Sequence, residues 1–347
     1  MMISLDGSYG EGGGQMVRTA LALSVLTNQP FKITDIRKGR CTPGLKAQHL
    51  QAIRALQGIC GATVIGAKEG SMEISFAPDI FTPKDLNINI GTAGSITLLL
   101  QALLPPLIFA EKRTRIRLTG GTDVEWSMPI DYFTQVVIPQ LRRYAKIDCV
   151  LKKRGYYPKG GGIFEIDISP KYSYKDISHA PTIDLREEKR LLMIKGVSHA
   201  HEDLGDVAQR QADAAKETLI QLSVPIDIEI EQSRTYSLGS GLALFAYFGE
   251  EQVDSENPII LGADALGKKG VPSEEVGQAA AKNLMTQIQR SAPVDNYLAD
   301  NLLPFLALCG GAFKTKDISM HTKTNIYVIE KFLGKKIQID QDIIQKI

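Results

Sequence analysis

The segment SMHTKTNIYVIEKFL, Ser319 to Leu333, sets His321 among Thr322, Lys323, Thr324 and Asn325, directly ahead of an apolar amphipathic pattern. A neutral imidazole at such a place can attack phosphorus or shuttle a proton, with Lys323 and the positive end of the helix to steady an approaching anion. Taken alone, a histidine there serves more often as a surface cap. A second suggestive stretch, SYGEGGGQMVR, Ser8 to Arg18, surrounds the carboxylate of Glu11 with Gly10, Gly12, Gly13 and Gly14. Glycine-lined backbone running into a helix suits a phosphate. Yet no Lys-Ser/Thr pair follows, and the glycines miss the dinucleotide-binding spacing.

Further groups gain meaning only if they converge. Gln15 and Arg18, at i and i+3, share one helix face. RKGRCTPGLKAQHLQ adds Arg37, Arg40, Lys46 and Gln48 around a Pro-Gly turn, and arginines at loop edges suit bidentate phosphate contacts. GGTDVEWSMPIDYF combines Asp123, the sole tryptophan Trp126, Pro129, Tyr132 and Phe133; Phe133 reads as core, whereas Trp126 and Pro129 could sandwich a nucleobase. KKRGYYPKGGG, Lys152 to Gly162, has the basic and aromatic composition of a nucleic-acid contact, which a solvated hairpin tip explains almost as well. NYLADNL puts Tyr297, Asp300 and Asn301 on neighbouring turns of an apolar helix, where polar side chains need partners. His199 and His201 form an HxH pair without zinc-ligand surroundings and read as an exposed pair.

The elements that must position these residues follow from periodicity. The chain's 347 residues, 44% hydrophobic and 23% charged, can bury a large core. Forty basic against thirty-nine acidic residues leave any anionic partner to a local basic patch. The four cysteines are scattered and read as free thiols in a reducing compartment. No signal peptide is expected, and the apolar run Ile96–Ala110, broken by Gln101, Pro105 and Pro106, is too short to span a bilayer, so a cytoplasmic protein is expected. Short alternating runs and helical patterns give a βαβαββ order over about 1–80, and the order recurs over about 86–170, with its second helix expected over 129–144. A third unit starts at 181–185, is interrupted, and resumes over 291–347, with its second helix expected over about 324–332. The interruption, 186–290, reads as a βαββ(β)α domain of its own. The expectation is an α/β (α+β) protein of three such units with one small α/β insertion. If the units pack about a pseudo-threefold axis, their helix N-termini and β-to-α loops converge on one crevice.

In this order, GSYGEGGGQMVRTALALS, IRKGRCTPGLKAQHL, IGTAGSITLLLQALLP, GGTDVEWSMPIDYF, RGYYPKGGG, YLADNL and MHTKTNIYVIEKFL closely resemble the RNA 3′-terminal phosphate cyclase family, from the first strand to the last. The resemblance implies three units similar to the C-terminal domain of translation initiation factor three, and an ATP-dependent enzyme that turns an RNA 3′-phosphate into a 2′,3′-cyclic phosphate. It implies that His321 carries AMP covalently and that Glu11 holds Mg²⁺ or Mn²⁺. Gln15, Arg18, Arg40 and Gln48 fall where the family contacts phosphates, Pro129 and Tyr297 where it holds adenine, and Asp300 where it makes polar contacts in the nucleotide site. Asn301 stands where many members carry Gln, one methylene longer. The expected partners are ATP and RNA with a 3′-phosphate, with no membrane; a homo-oligomer is compatible with the sequence. Two rivals predict otherwise. A non-catalytic ribosomal RNA-processing branch of the superfamily should lack the histidine, and an enolpyruvate-type transferase needs more repeats and no nucleophilic His.

Overall fold

The computed structural model describes residues 2–10, 12–316 and 318–347. Strand Ile3–Asp6 lies parallel to Phe31–Thr34, whose alternating burial marks a half-buried strand; Ile74–Ala77 pairs antiparallel to the latter, and Thr63–Ile65 closes the sheet. The crossover helix Gln15–Thr27 is buried from Gln15 to Leu26, so it packs as a central helix and not as a surface one. Leu86–Asn89, Thr114–Gly120, Gly162–Pro170 and Ala145–Lys153 form a second sheet in the same spatial order, first, second, fourth, third. Ile183–Leu185, Gly311–Lys314, Ile343–Lys346 and Ile337–Asp340 repeat that order a third time, although about 125 residues separate the first strand of this sheet from its second. A fourth sheet centres on Arg190–His201, flanked by Ile226–Ser233 on one side and by Ser240–Gly249, then Ile259–Leu266, on the other. Mixed sheets with helices on them are the α/β class read from the sequence.

Two expectations change in detail. The helix expected from about 324 begins at Met320, because Ser319 caps it: the Thr322 N–H donates to Ser319 Oγ at 3.0 Å. His321 therefore lies in the first turn and not in the loop before it. The helix expected over 129–144 runs as Ile130–Tyr132, a π-turn Phe133–Val137 and Ile138–Leu141. Pro139, which lacks an N–H, sits at the start of the last piece, where the regular hydrogen-bond ladder cannot continue.

The helices Gln15–Thr27, Ile96–Ile108 and Asn296–Cys309 contribute to one large apolar core, together with the inner faces of the first three sheets. Ile194, Leu244, Leu261 and Leu284 belong to a second, smaller core within the fourth sheet and its helices. Phe245 and Ile260 reach from that sheet into the large core. The seam between the two carries an ionic cluster. Arg154, 1% exposed, donates to Asp131 at 2.7 Å, to Glu231 at 2.6 Å and to Asp123 at 3.2 Å. Burial alone would depress its pKa; Asp123, Asp131 and Glu231 more than reverse this and hold it well above the ordinary value.

His199 and His201 correct the expectation of an exposed pair, since they are 1% and 6% exposed. His199 Nδ1 lies 2.8 Å from the Tyr156 hydroxyl, and its Nε2 is 3.5 Å from Asp123. Asp123, Asp131 and His199 approach one another closely enough to ligate a cation, but the Arg154 guanidinium already supplies the positive charge there. Among the described residues all four cysteines are thiols, and no helix is long and apolar enough to cross a membrane.

Replacing Arg154 with Leu strands buried carboxylates without their counter-charge and should cost about 3 kcal/mol or more in urea denaturation. Lys175→Ala, which breaks the exposed pair with Glu111, should change stability by less than about 1 kcal/mol in the same measurement.

Candidate active site

The glycine loop and the His321 helix are built against each other. Gly10 has φ +62°, and a Cβ there would come within 2.6 Å of Thr324 Oγ1, so only glycine fits the turn and the approach together. A Cβ on Gly13 would stand 3.4 Å from His321 Cε1, 3.8 Å from its Nδ1 and 3.8 Å from Arg40 Nη2. At Gly14 a Cβ would overlap His49 Nε2 and lie 3.3 Å from Arg18 Nη1. Three consecutive features, bare backbone, the imidazole of His321 and the guanidinia of Arg40 and Arg18, therefore share one small space. Glu11 lies outside the described residues.

The His321 helix is fixed from both sides. Thr322 donates to Asp300 Oδ1 at 2.9 Å, Asn325 donates to the Asp300 carbonyl at 3.0 Å, and Thr19 donates to Asn325 Oδ1 at 2.5 Å. These bonds tie helices Gln15–Thr27, Asn296–Cys309 and Met320–Leu333 together beneath the imidazole. Lys323 points outward and is exposed, so the cation expected to steady an anion is supplied by Arg40 and Arg18 instead.

Arg18 is 8% exposed, and burial pushes its pKa down to about 10; Asp300 opposes the shift and Arg37 adds to it. It remains charged at neutral pH. Its Nε donates to Gln101 Oε1 at 2.9 Å, Gln101 Nε2 donates to Asn301 Oδ1 at 3.2 Å, and Asn301 Nδ2 donates to the Tyr297 carbonyl at 2.6 Å. This relay joins the first helix of each of the three sheet units. Both ends of the Asn301 amide bond to protein, which makes it a positioning residue. Arg37 donates to the carbonyls of Thr42 and Gly44 and so stiffens the loop that carries Arg40. Gln15 is buried one turn before Arg18, and Gln48 Oε1 lies 3.2 Å from where a Gly94 Cβ would stand.

The far wall holds the residues expected around a base. Pro129 is buried and caps the helical segment that carries Tyr132, whose ring meets Tyr297 edge-on at 5.6 Å. The Tyr132 hydroxyl donates to Asp295 at 2.5 Å, and Asp295 also accepts from the backbone of Leu298 and Gly262. Tyr297 stays 41% exposed beside this anchored ring. Trp126, by contrast, is 94% exposed and stands out into solvent, while Phe133 is core as expected.

Two residues went unread in the sequence. Gln101 had one signal, a lone amide inside an apolar helix. His49 had less, because its neighbour Gln48 drew attention. It is 2% exposed; Nδ1 accepts the Lys46 N–H at 3.0 Å, which puts the ring proton on Nε2. That Nε2 is buried against Gly14 with no hydrogen-bond partner among the described residues. Burial, then Arg18, Arg37 and Lys46, push its pKa down to about 3, so it is a neutral donor waiting for an acceptor.

Glycine backbone, a buried cation, a neutral donor and an adjacent imidazole are groups suited to holding a phosphate. The profile of the RNA 3′-terminal phosphate cyclase family matches residues 9–339. A protein of Pyrococcus furiosus named RNA 3′-terminal phosphate cyclase is 44% identical over 99% of this chain and 97% of its own length. Namesakes from Pyrococcus abyssi, 43% identical over 99% of this chain and 96% of their length, and Methanosarcina mazei, 41% identical over 98% and 97%, agree. The chain belongs to the RNA 3′-terminal phosphate cyclase family, a family of enzymes.

The buried imidazoles set a pH dependence. His49 and His199 have pKa values near 3 in the fold against about 6.5 when unfolded, so below pH 6.5 the unfolded chain binds more protons. Stability is full above that pH and falls as the pH drops, by up to about 1.4 kcal/mol per unit for each histidine. Between pH 7 and pH 4.5, urea denaturation should therefore show the wild type losing about 2 kcal/mol more than His49→Gln, whose other titrating groups are unchanged.

Proposed function

We propose that the protein uses ATP to convert the 3′-phosphate of RNA into a 2′,3′-cyclic phosphate, through a covalent histidine–AMP on His321. The observation that carries this reading is the meeting of His321 and Arg40 at Gly13, with Arg18 and His49 Nε2, unpartnered among the described residues, at Gly14. An imidazole nitrogen attacks the α-phosphorus of ATP, the P–N bond forms, and the P–O bond to pyrophosphate breaks. The RNA 3′-phosphate then takes AMP from the histidine, giving a mixed anhydride. Finally the 2′-hydroxyl loses its proton and attacks the 3′-phosphorus, and AMP leaves with the bonding pair. Adenylation converts a poor leaving oxygen into a good one, and tethering of the hydroxyl beside the phosphorus makes ring closure fast. That hydroxyl also restricts the reaction to RNA.

The site chemistry fits a nucleoside triphosphate. Arg18, Arg40, Gln15 and Gln48 supply charge and hydrogen bonds for phosphates, and His49 Nε2–H supplies a donor whose burial costs free energy until an oxygen meets it. Pro129 and Tyr297 would hold adenine, Asp300 would make the polar contacts beside it, and Asn301 would keep Gln101 and Arg18 in place. A divalent cation, Mg²⁺ or Mn²⁺, held by Glu11 would neutralise charge on the triphosphate. In this reading 1–185 and 291–347 perform the chemistry and 186–290 is an inserted domain. The retained His321 separates the protein from the non-catalytic branch of the superfamily.

Incubation with α-labelled ATP and Mg²⁺ should leave an acid-labile, alkali-stable label on the protein that His321→Ala abolishes and His179→Ala, at an exposed position, leaves intact. Labelling that survives His321→Ala refutes the reading. His49→Ala should slow labelling about tenfold or more, with partial rescue by His49→Gln, consistent with one lost hydrogen bond to a charged group. RNA with a 2′-deoxy 3′-phosphate terminus should stop at the adenylated stage.

A further inference from the structure

Between the second sheet unit and the fourth sheet lies a cleft of about 660 Å³ that the reaction described above does not use. Its walls include the end of strand Ala145–Lys153 and the segment after strand Ile226–Ser233. The charges are sorted by depth. At the floor, Asp131 and Glu231 are held by buried Arg154. At the mouth, Lys152 and Arg234 have side chains 51% and 86% exposed, paired only at 4.0 Å with Glu165 and 3.6 Å with Glu202. Lys153 also lines the cleft, its Nζ 3.6 Å from the centre of the Tyr236 ring. Glu229 is the remaining carboxylate of the wall. Ser233 belongs to the lining, and its Oγ is buried without a hydrogen-bond partner among the described residues.

A run of packed residues links the lining of the cleft to the neighbourhood of Gln48. A Cβ on Gly94 would lie 3.2 Å from Gln48 Oε1; one on Gly160 would lie 2.7 Å from the carbonyl oxygen of Thr92 and 2.8 Å from Ala93 Cα; and one on Gly161 would overlap the Tyr236 ring. From Gly94 through Ala93, Gly160 and Gly161 to Tyr236, each residue is a chain neighbour or a packing neighbour of the one before it. Resting on the RNA substrate of the proposed function, we propose that this cleft binds the RNA strand upstream of its 3′ end. Backbone phosphates lie on Lys152, Lys153 and Arg234, and ribose hydroxyls or base amino groups turn toward Glu229 and Glu231. A cationic rim over an acceptor-rich floor is the complement of a nucleotide, whose phosphate is anionic and whose sugar and base edges donate. The KKRGYYPKGGG hairpin, basic and aromatic, is thereby the bridge from the reacting end to the strand behind it.

The test is fluorescence anisotropy of a 5′-labelled RNA of twelve nucleotides with a 3′-phosphate, without ATP, against wild type and the double variant Lys152→Ala/Arg234→Ala. Loss of two phosphate contacts should weaken binding about tenfold or more and reduce the slope of log affinity against log salt by about 1.4. Protein–AMP formation from ATP alone, and cyclisation of a dinucleotide 3′-phosphate too short to reach the cleft, should be unchanged. Unchanged RNA affinity and salt slope, or an equal loss on the dinucleotide, overturns the proposal. Failure of the proposed function reads differently: no cyclisation by the wild type, with the long RNA still bound through Lys152 and Arg234.

Discussion

The structure depends on keeping one guanidinium charged where water is scarce. Arg18 stands where the leading helices of three sheet units meet, and only a shared set of polar groups makes its burial tolerable: Gln101 from the second unit, Asp300 and Asn301 from the third. Removing a cation from water costs several kcal/mol, so the units cannot separate or rotate without exposing the loss. Arg37 adds to the positive field at Arg18, and Arg18, Arg37 and Lys46 add to that at His49. Under the proposed function a triphosphate would enter this field.

A second constraint acts at the seam with the fourth sheet. Arg154 is held there by carboxylates from two elements of the second unit and by Glu231 from the fourth sheet. A guanidinium with three carboxylates at fixed angles specifies an orientation, where apolar packing through Phe245 and Ile260 alone would allow sliding. The strand that carries Arg154 into the seam also lines the cleft, so the two sides of that opening are registered by the same side chain.

Much of this was legible in the amino-acid order, because it is local. The alternation of strands, the helices between them, the thrice-repeated order and the interruption all follow from period-two and period-3.6 patterns. The motif residues Arg18, Arg40 and His321 were legible as well, and they lie around Gly13 and Gly14. What escaped depends on contacts across hundreds of residues. Nothing near His49 says that Gly14 will lie on its Nε2, and nothing near His199 says that Tyr156 and Asp123 will enclose it. Exposure was misjudged for the HxH pair because polar residues are usually solvated, and a buried ion cluster reverses that rule. The start of the His321 helix was set four residues late, since the cap is one hydroxyl bond from Ser319 rather than an apolar period.

The bond from Thr19 to Asn325 spans 306 positions of the chain. Its consequence is one of timing. During synthesis the glycine loop, Arg18 and Arg40 emerge early, but the helix of His321 is made only after the fourth sheet and helix Asn296–Cys309. The meeting of Gly10 with Thr324 and of Gly13 with His321 therefore waits for nearly the whole chain.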